Sequence, residues 1–538
     1  MIKRVSVSLF FLVALSCLLL THVQAADEPA GKKPAKTPEA IEKGRVIYYM
    51  RCSFCHGLQG DGDGPVAYQL IPRPRDFTKG LYKFRSTGSG ELPTDEDLFR
   101  VISRGLPGTA MQTFDSDKIK SGLTEEERWQ VIYFIKTFSE DFNDPEFDPY
   151  KAVVNVSSEI KSSQASIEKG KKIFQEMMCW ECHGDGGRGN GPNSPRLKDK
   201  FRGDPILPFD LTKGWRYKGG NTTRDIYLRF NTGINGTPMP SFTDSLNDEE
   251  RWHLANYVVS LQKREVNNNP VLSAKFVSGE LPADPDNTLW GSAASIDVLM
   301  AGQVIAKPRW ENPSVDLVTI RALYNDKEIA FLMEWGDRFK DTVHNPEKEY
   351  KVSDVYKGYV SWEEITRDIG NFRDSIALQF PTAIPAGTRK PHFFRGESGN
   401  TVNLWVWKSD LEESGQPPVE EVNASSPGQP MKIQPPEGQQ IKGKGVWKDG
   451  VWKVVIKRPL LTEDKNDIQF EKGKFIPLAL NVWDGSNGEH NLLMSLSSWH
   501  YVILETTVPM SVYLYTLLGI AGLGLGEFWL VRRVRRSG

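Results

Sequence analysis

The chain has 538 residues, 39% hydrophobic and 25% charged, with a net charge of -2. That length calls for about two to four folding units, and the composition is that of a globular chain rather than a disordered or polytopic one. With no basic excess to neutralise phosphates, nucleic acid is excluded as a partner.

At the N-terminus, Lys3 and Arg4 precede an apolar run from Val5 to Leu20 and the small-residue stretch THVQAADEPA. The short apolar core and the cleavage-like site read as a secretory signal peptide over residues 1–25, which would carry Cys17 away with it. The bulk of the protein is therefore expected on the periplasmic, or equivalent extracytoplasmic, side. The lysine-rich GKKPAKTP that follows reads as a solvated linker.

From there a repeat organises the chain. IEKGRVIYYMRCSFCHGLQGDGDGP (41–65) recurs as IEKGKKIFQEMMCWECHGDGGRGNGP (167–192). DFTKGLYKF returns as DLTKGWRYK, GLPGTAMQTF as GINGTPMPSF, and LTEEERWQVIYFI as LNDEERWHLANYV. Two copies of one domain lie in tandem. Thr124 with Glu127, and Asn247 with Glu250, give the start signal of a closing helix in each copy. Trp129 and Trp252 lie on those helices, where core packing and contact with a cofactor edge explain them equally well.

Each copy carries Cys-x-x-Cys-His. A four-thiolate zinc site or disulfides would leave both histidines idle, and zinc pairs usually sit closer together in sequence. Covalent attachment of haem uses every residue. One helical turn separates the thiols, which reach the two vinyl groups on one porphyrin edge, and the next residue offers imidazole to the iron. Cys52, Cys55 and His56, and Cys179, Cys182 and His183, thus predict two haem c groups. Met111 and Met239, at equivalent Gly-Thr-x-Met positions, are the expected sixth ligands, since thioether sulfur suits cytochrome iron. Met50, Met177 and Met178 are assigned to core packing instead.

These residues resemble the class I, mitochondrial-type cytochrome c domain family over residues 38–141 and 165–263. The resemblance implies two all-α domains whose irons have both axial positions filled by protein. Electron transfer is then the expected role, with no catalytic residue. A dihaem peroxidase is the outlying alternative, since it would require one iron to lose its methionine.

The texture then changes from helical periods to alternation. VDLVTIRALYNDKEIAFLMEW reads as two strands around Asn325-Asp326, and GVWKDGVWKVVI as a hairpin on Asp449-Gly450. TVNLWVWK and FIPLALNVWDG read as further strands, and the Pro, Gly and Glu rich stretch 411–440 as a surface loop. An all-β sandwich is expected over 275–505.

ALQFP, KPHF, VNLW and VWDG in this region resemble the haem b domain of the γ subunits of type II dimethyl-sulfoxide-reductase-family enzymes, the group of ethylbenzene dehydrogenase, chlorate and selenate reductases and nitrite oxidoreductase. The resemblance implies one non-covalent haem b between a methionine and a lysine, and partner subunits carrying molybdopterin and iron-sulfur clusters. Here Arg395 stands at the methionine position and Met494 at that of the lysine. Met494 is the candidate haem b ligand, with His392 or His490 as its counterpart. A sandwich without haem that docks or assembles partner proteins is the alternative.

The chain ends in VPMSVYLYTLLGIAGLGLGEFWLVRRVRRSG. Its roughly 20 apolar residues are long enough to span a bilayer, and Arg532, Arg533, Arg535 and Arg536 should stay on the cytoplasmic side. A single transmembrane helix is expected over 509–531. The sequence thus describes a membrane-anchored dihaem cytochrome that carries electrons to or from a molybdenum oxidoreductase complex of the nitrite oxidoreductase kind in a respiratory chain, together with a second redox protein.

Overall fold

The computed structural model describes residues 33–144, 146–263, 265–345, 371–505 and 510–536. The expected signal peptide 1–25 lies outside the described residues.

In the first repeat, Thr37 accepts the Ala40 N–H and starts α1 (Pro38–Arg51), with proline in the first turn where no backbone donor is needed. Helices α2 (Asp95–Arg104) and α3 (Glu125–Ile135) open in capping boxes formed by Thr94 with Asp97 and by Thr124 with Glu127. The second repeat copies the plan in α4 (Gln164–Glu176), α5 (Thr223–Thr232) and α6 (Asp248–Ser260), the last two boxed by Thr222 with Asp225 and Asn247 with Glu250.

The first and last helices of each copy cross with backbones almost touching. A Cβ on Gly44 would lie 2.0 Å from the Gln130 carbonyl oxygen, and one on Gly170 would lie 2.0 Å from that of His253. Trp129 stacks on Phe99 at 4.2 Å and Trp252 on Tyr227 at 4.0 Å, so both tryptophans belong to the helix cores. Met177 packs against the core of its repeat, but Met50 and Met178 are 76% and 57% exposed and fill no core. The first repeat, to Val153 and apart from two short loop segments, forms one compact unit; the chain from Val154 onward forms the other.

Within that second unit a β domain follows. Its main strands are β1 (Val271–Phe276), β2 (Ser295–Leu299), β3 (Leu317–Tyr324), β4 (Glu328–Gly336), β5 (Ser375–Pro381), β6 (Val402–Lys408), β7 (Val419–Ala424), β8 (Lys442–Lys448), β9 (Val451–Pro459), β10 (Ile476–Trp483) and β11 (His500–Leu504). Strands β8, β9, β4 and β3 run antiparallel, and β2 pairs with the first half of β3. β1 lies parallel both to the end of β3 and to β11, which leads through β10 to β5, β6 and β7. The sheet is therefore mixed. Its two halves pack as a sandwich around one core, with Ile320, Phe331 and Trp452 from one half and Ile376, Trp405 and Leu480 from the other.

Both expected hairpins form. Asp449 and Gly450 have φ of 50° and 79°, the double positive-φ turn whose twist suits antiparallel strands. The expected loop 411–440 is different: it contains β7, which pairs with β6 in the register Trp405 to Glu421. At the C-terminus α7 (Met510–Val534) contains Leu514–Arg533, long and apolar enough to cross a membrane and with its apolar side chains exposed.

Candidate functional site

Cys52 caps α1, its N–H bonded to the Tyr48 carbonyl, and the chain makes one more helical turn from Ser53 to His56. The Cys55 and His56 N–H groups both donate to the Cys52 carbonyl, at 3.1 and 2.9 Å. The turn stops at Gly57, with φ of 78°, where a Cβ would strike Asp61 Oδ1 at 2.0 Å. The second copy has the same construction. His183 N–H donates to the Cys179 carbonyl at 2.9 Å, and Gly184, with φ of 74°, ends the turn beside Asn190. All four thiols are free and partly exposed. Burial pushes Cys52 up to about 12 and Cys179 up to about 11, and the neighbouring Cys55 thiol adds to the shift at Cys52. These are protonated thiols rather than preformed thiolate ligands.

Each histidine ring is oriented by a backbone carbonyl: His56 Nδ1 lies 3.0 Å from Arg75 O, and His183 Nδ1 lies 3.0 Å from Phe209 O. A carbonyl only accepts, so Nδ1 carries the proton and the Nε2 lone pair is left for a metal. Burial lowers the pKa of both rings, which favours the neutral ligand form. His56 also stacks on Phe77 at 4.5 Å.

The anchoring carbonyls give a role to a repeat that motif reading left unassigned. Arg75 and Phe209 directly precede Asp76 and Asp210 of the recurring Asp-x-Thr-Lys-Gly. In both copies the aspartate Oδ1 accepts the threonine hydroxyl, at 2.6 Å, and the threonine N–H, at 2.9 Å in the first and 3.0 Å in the second. This Asx turn fixes the strand of backbone that holds the histidine. Recurrence of polar residues beyond the Cys-x-x-Cys-His motif was its available signal.

The methionine loops are also built alike. Gly105 and Gly233 end α2 and α5, and the Leu106 and Ile234 N–H groups donate to the Met111 and Met239 carbonyls at 2.8 and 3.1 Å. Met111 packs against the helix core that also borders Cys52, and Met239 against the one that borders Cys179. Free thiol pairs on one turn and carbonyl-anchored imidazoles fit covalent haem in both domains.

Around the residues considered for haem b, the structure shows the following. Arg395 is 6% exposed and donates to the Asn491 carbonyl at 2.8 Å, and a guanidinium offers iron no lone pair. His392 Nδ1 accepts the Phe394 N–H, and the ring stacks on Phe393. His490 Nδ1 lies 2.8 Å from the Gly488 carbonyl, and its ring stacks on Phe372 at 4.0 Å. Met494 is fully buried among Phe394, Leu404, Val406 and Leu496.

The second cytochrome domain is fastened to the β domain by charge. Lys213 Nζ lies 2.6 Å from Asp316 Oδ1, Trp215 Nε1 donates to Asp316 Oδ2 at 2.9 Å, and Arg216 stands 3.3 Å away. Burial works to raise Asp316, but the Lys213 and Arg216 charges hold it below the usual carboxylate range.

Comparison with known proteins identifies two kinds of domain. A cytochrome c family profile matches residues 41–139 and 167–262, and an ethylbenzene dehydrogenase profile matches 287–422 and 417–495. ORF7 of Haloferax mediterranei, named as a respiratory nitrate reductase heme subunit, is 24% identical over 51% of this chain and 87% of its own. Cytochrome c 2.1 of Caenorhabditis briggsae is 30% identical over 21% of this chain and 92% of its own. Among solved structures, a chain of the reducing HAO-like protein complex of Kuenenia stuttgartiensis is 48% identical, covering 41% of this chain and 96% of its own, with a TM-score of 0.38. The chain belongs to the cytochrome c family, with two such domains in tandem ahead of a domain of the ethylbenzene dehydrogenase γ-subunit type.

Proposed function

We propose that this chain is the dihaem electron-transfer subunit of a molybdenum oxidoreductase complex, of the nitrate, chlorate or nitrite oxidoreductase kind, anchored to a membrane by its last helix. Cys52 and Cys55 would hold one haem c and Cys179 and Cys182 the other, with His56 and His183 as proximal ligands and Met111 and Met239 as the distal ones. Bound in this way, haem supplies one-electron iron chemistry, and the protein leaves no coordination position for a substrate. The chain's own residues orient each imidazole through Arg75 O or Phe209 O and keep it neutral by burial.

The observation that carries the reading is the duplicated anchoring of His56 and His183 beside free cysteine pairs. The partner follows from the ethylbenzene dehydrogenase-type domain and from the name of the Haloferax relative. Arg532 and Arg533 in the last turn of α7, with Arg535 and Arg536 just beyond it, support a cytoplasmic C-terminus, with both cytochrome domains outside. Arg395 at the methionine position, with no lone pair to offer iron, and His392 Nδ1 accepting the Phe394 N–H support a β domain that docks partner subunits over one that carries a third haem.

A pyridine haemochrome spectrum before and after acid-acetone extraction tests this count, with two covalent haems and none extractable as the expected result. Extractable haem b would overturn the docking assignment. Purification from membranes under mild detergent tests the partner: absence of a molybdopterin subunit would remove the complex from the proposal.

A further inference from the structure

Three aspartates with no part in electron transfer converge at one end of the β domain. Asp337 follows β4, Asp374 precedes β5 and Asp484 follows β10, and one carboxylate oxygen from each lies within 4.8 Å of the others. Their exposures are 3%, 0% and 4%. Among the described residues no lysine, arginine or histidine pairs with them. Lys213 pairs with Asp316 and Arg188 donates to the Thr212 hydroxyl at 3.3 Å, while Arg338 donates to the Pro208 carbonyl at 3.2 Å and acts on Asp337 and Asp484 through its charge alone.

Neutral donors meet only part of this demand. Asp374 accepts from Gly485 N–H and Trp452 Nε1 at 2.9 Å and from Asp341 N–H at 2.8 Å, while Asp484 Oδ1 accepts the Ser486 hydroxyl at 2.6 Å and the Asn487 N–H at 3.3 Å. Asp337 Oδ1 takes the Phe339 N–H at 3.3 Å, but Asp337 Oδ2 is buried with no donor at all, as is Asp341 Oδ2. Buried carboxylates in contact with one another and short of donors need positive charge at the centre of the cluster.

We infer that Asp337, Asp374 and Asp484 ligate a hard divalent cation, calcium or magnesium, beside the small cavity that Asp337 and Asp484 line together with Arg188, Asp210 and Lys213 of the second cytochrome domain. The donor set is oxygen alone, which selects these ions over zinc or copper. Burial, then repulsion from Asp484, pushes Asp337 and Asp374 well above the usual carboxylate range, and a cation at the centre reverses that balance.

The ion ties the end of β4, in one half of the sandwich, to β5 and β10 in the other. It also adjoins the second haem site. Arg338, next to Asp337 in the chain, donates to the Pro208 carbonyl, and the following Phe209 carbonyl anchors His183. Asp337 is thus a positioning residue for that imidazole. This last step rests on the haem reading of His183; the cation site does not.

The test uses the purified full-length protein with its haems, in detergent, stripped with EDTA and returned to chelator-free buffer. Calcium and magnesium chloride are titrated separately by calorimetry, with metal analysis of the dialysed protein. Uptake of one ion per chain is expected, the two titrations showing which ion is preferred. Asp337→Asn and Asp484→Asn should each weaken binding about tenfold or more at unchanged haem content. EDTA should also shift one of the two haem midpoint potentials and leave the other in place.

No uptake of either ion by the wild-type protein overturns the proposal and leaves protons as the compensating charge; that result needs no variant to fold. Undiminished binding by the two variants overturns it equally, by placing the ion elsewhere. One ion bound with both potentials unmoved retains the site and removes its link to His183.

Discussion

Lys213 and Asp316 meet at 2.6 Å where the second cytochrome domain joins the β domain, and both side chains are largely buried. Asp316→Ala would leave Trp215 Nε1 without its acceptor and the Lys213 ammonium with only the Ser314 carbonyl, at 3.4 Å, inside the junction. Removing one partner of a buried pair costs about 3 kcal/mol, most of it the stranded charge. Denaturant unfolding of the variant should show that loss, and limited proteolysis should cut faster in the stretch 262–270 between the domains. An unchanged unfolding midpoint would mean that apolar contacts alone hold the junction.

The two methionine loops give a spectroscopic prediction. Met111→Ala and Met239→Ala should each abolish half of the thioether-to-iron charge-transfer absorbance of the oxidised protein. Each should also lower one of the two midpoint potentials, because a thioether axial ligand raises the potential of haem iron. Equal effects from the two variants follow from loops closed by the same backbone bonds. A spectrum unchanged in either variant would remove that methionine from its iron.

Sequence was informative wherever local chemistry or covalent spacing sets the structure. Cys-x-x-Cys-His fixes one helical turn by itself, and Asp449-Gly450 specifies its hairpin because both residues must take positive φ. Strand β7 stayed hidden because PVEEVNA places Glu421 on a fully buried face, where no alternation rule expects it. Its charge is met by Arg458 at 2.7 Å, 37 residues further along the chain. The aspartate cluster was invisible for the same reason: β4, β5 and β10 bring Asp337, Asp374 and Asp484 together only once both halves of the sheet are folded. Long-range pairing of this kind leaves no period in a single sequence.

The glycine crossings predict a steric effect that exceeds ordinary helix propensity. Alanine at position 44 or 170 favours the helix locally, but its Cβ would lie 2.0 Å from a backbone carbonyl oxygen of the opposing helix. The helices must part, and overpacking of this kind costs about 1–3 kcal/mol. Gly44→Ala should lower the unfolding temperature of the first domain and Gly170→Ala that of the second, read from the Soret band during melting. A stabilised variant would show that the crossing has slack to spare.

Acid stability of the first domain should depend on Asp95, which opens α2 and binds Lys136 Nζ at 2.6 Å and Lys33 Nζ at 2.7 Å. Burial works to raise its pKa, but the Lys136 and Lys33 hydrogen bonds and charges outweigh it and hold the carboxyl below its ordinary value. With the folded pKa depressed, this contribution is fully present above the unfolded value of about 3.9 and is lost as pH falls through the folded pKa. Asp95→Asn should therefore destabilise the domain at neutral pH and flatten the fall in stability between about pH 5 and pH 3. Chemical denaturation across that range decides the point: parallel curves for the two proteins would show that the Asp95 carboxylate contributes no pH dependence.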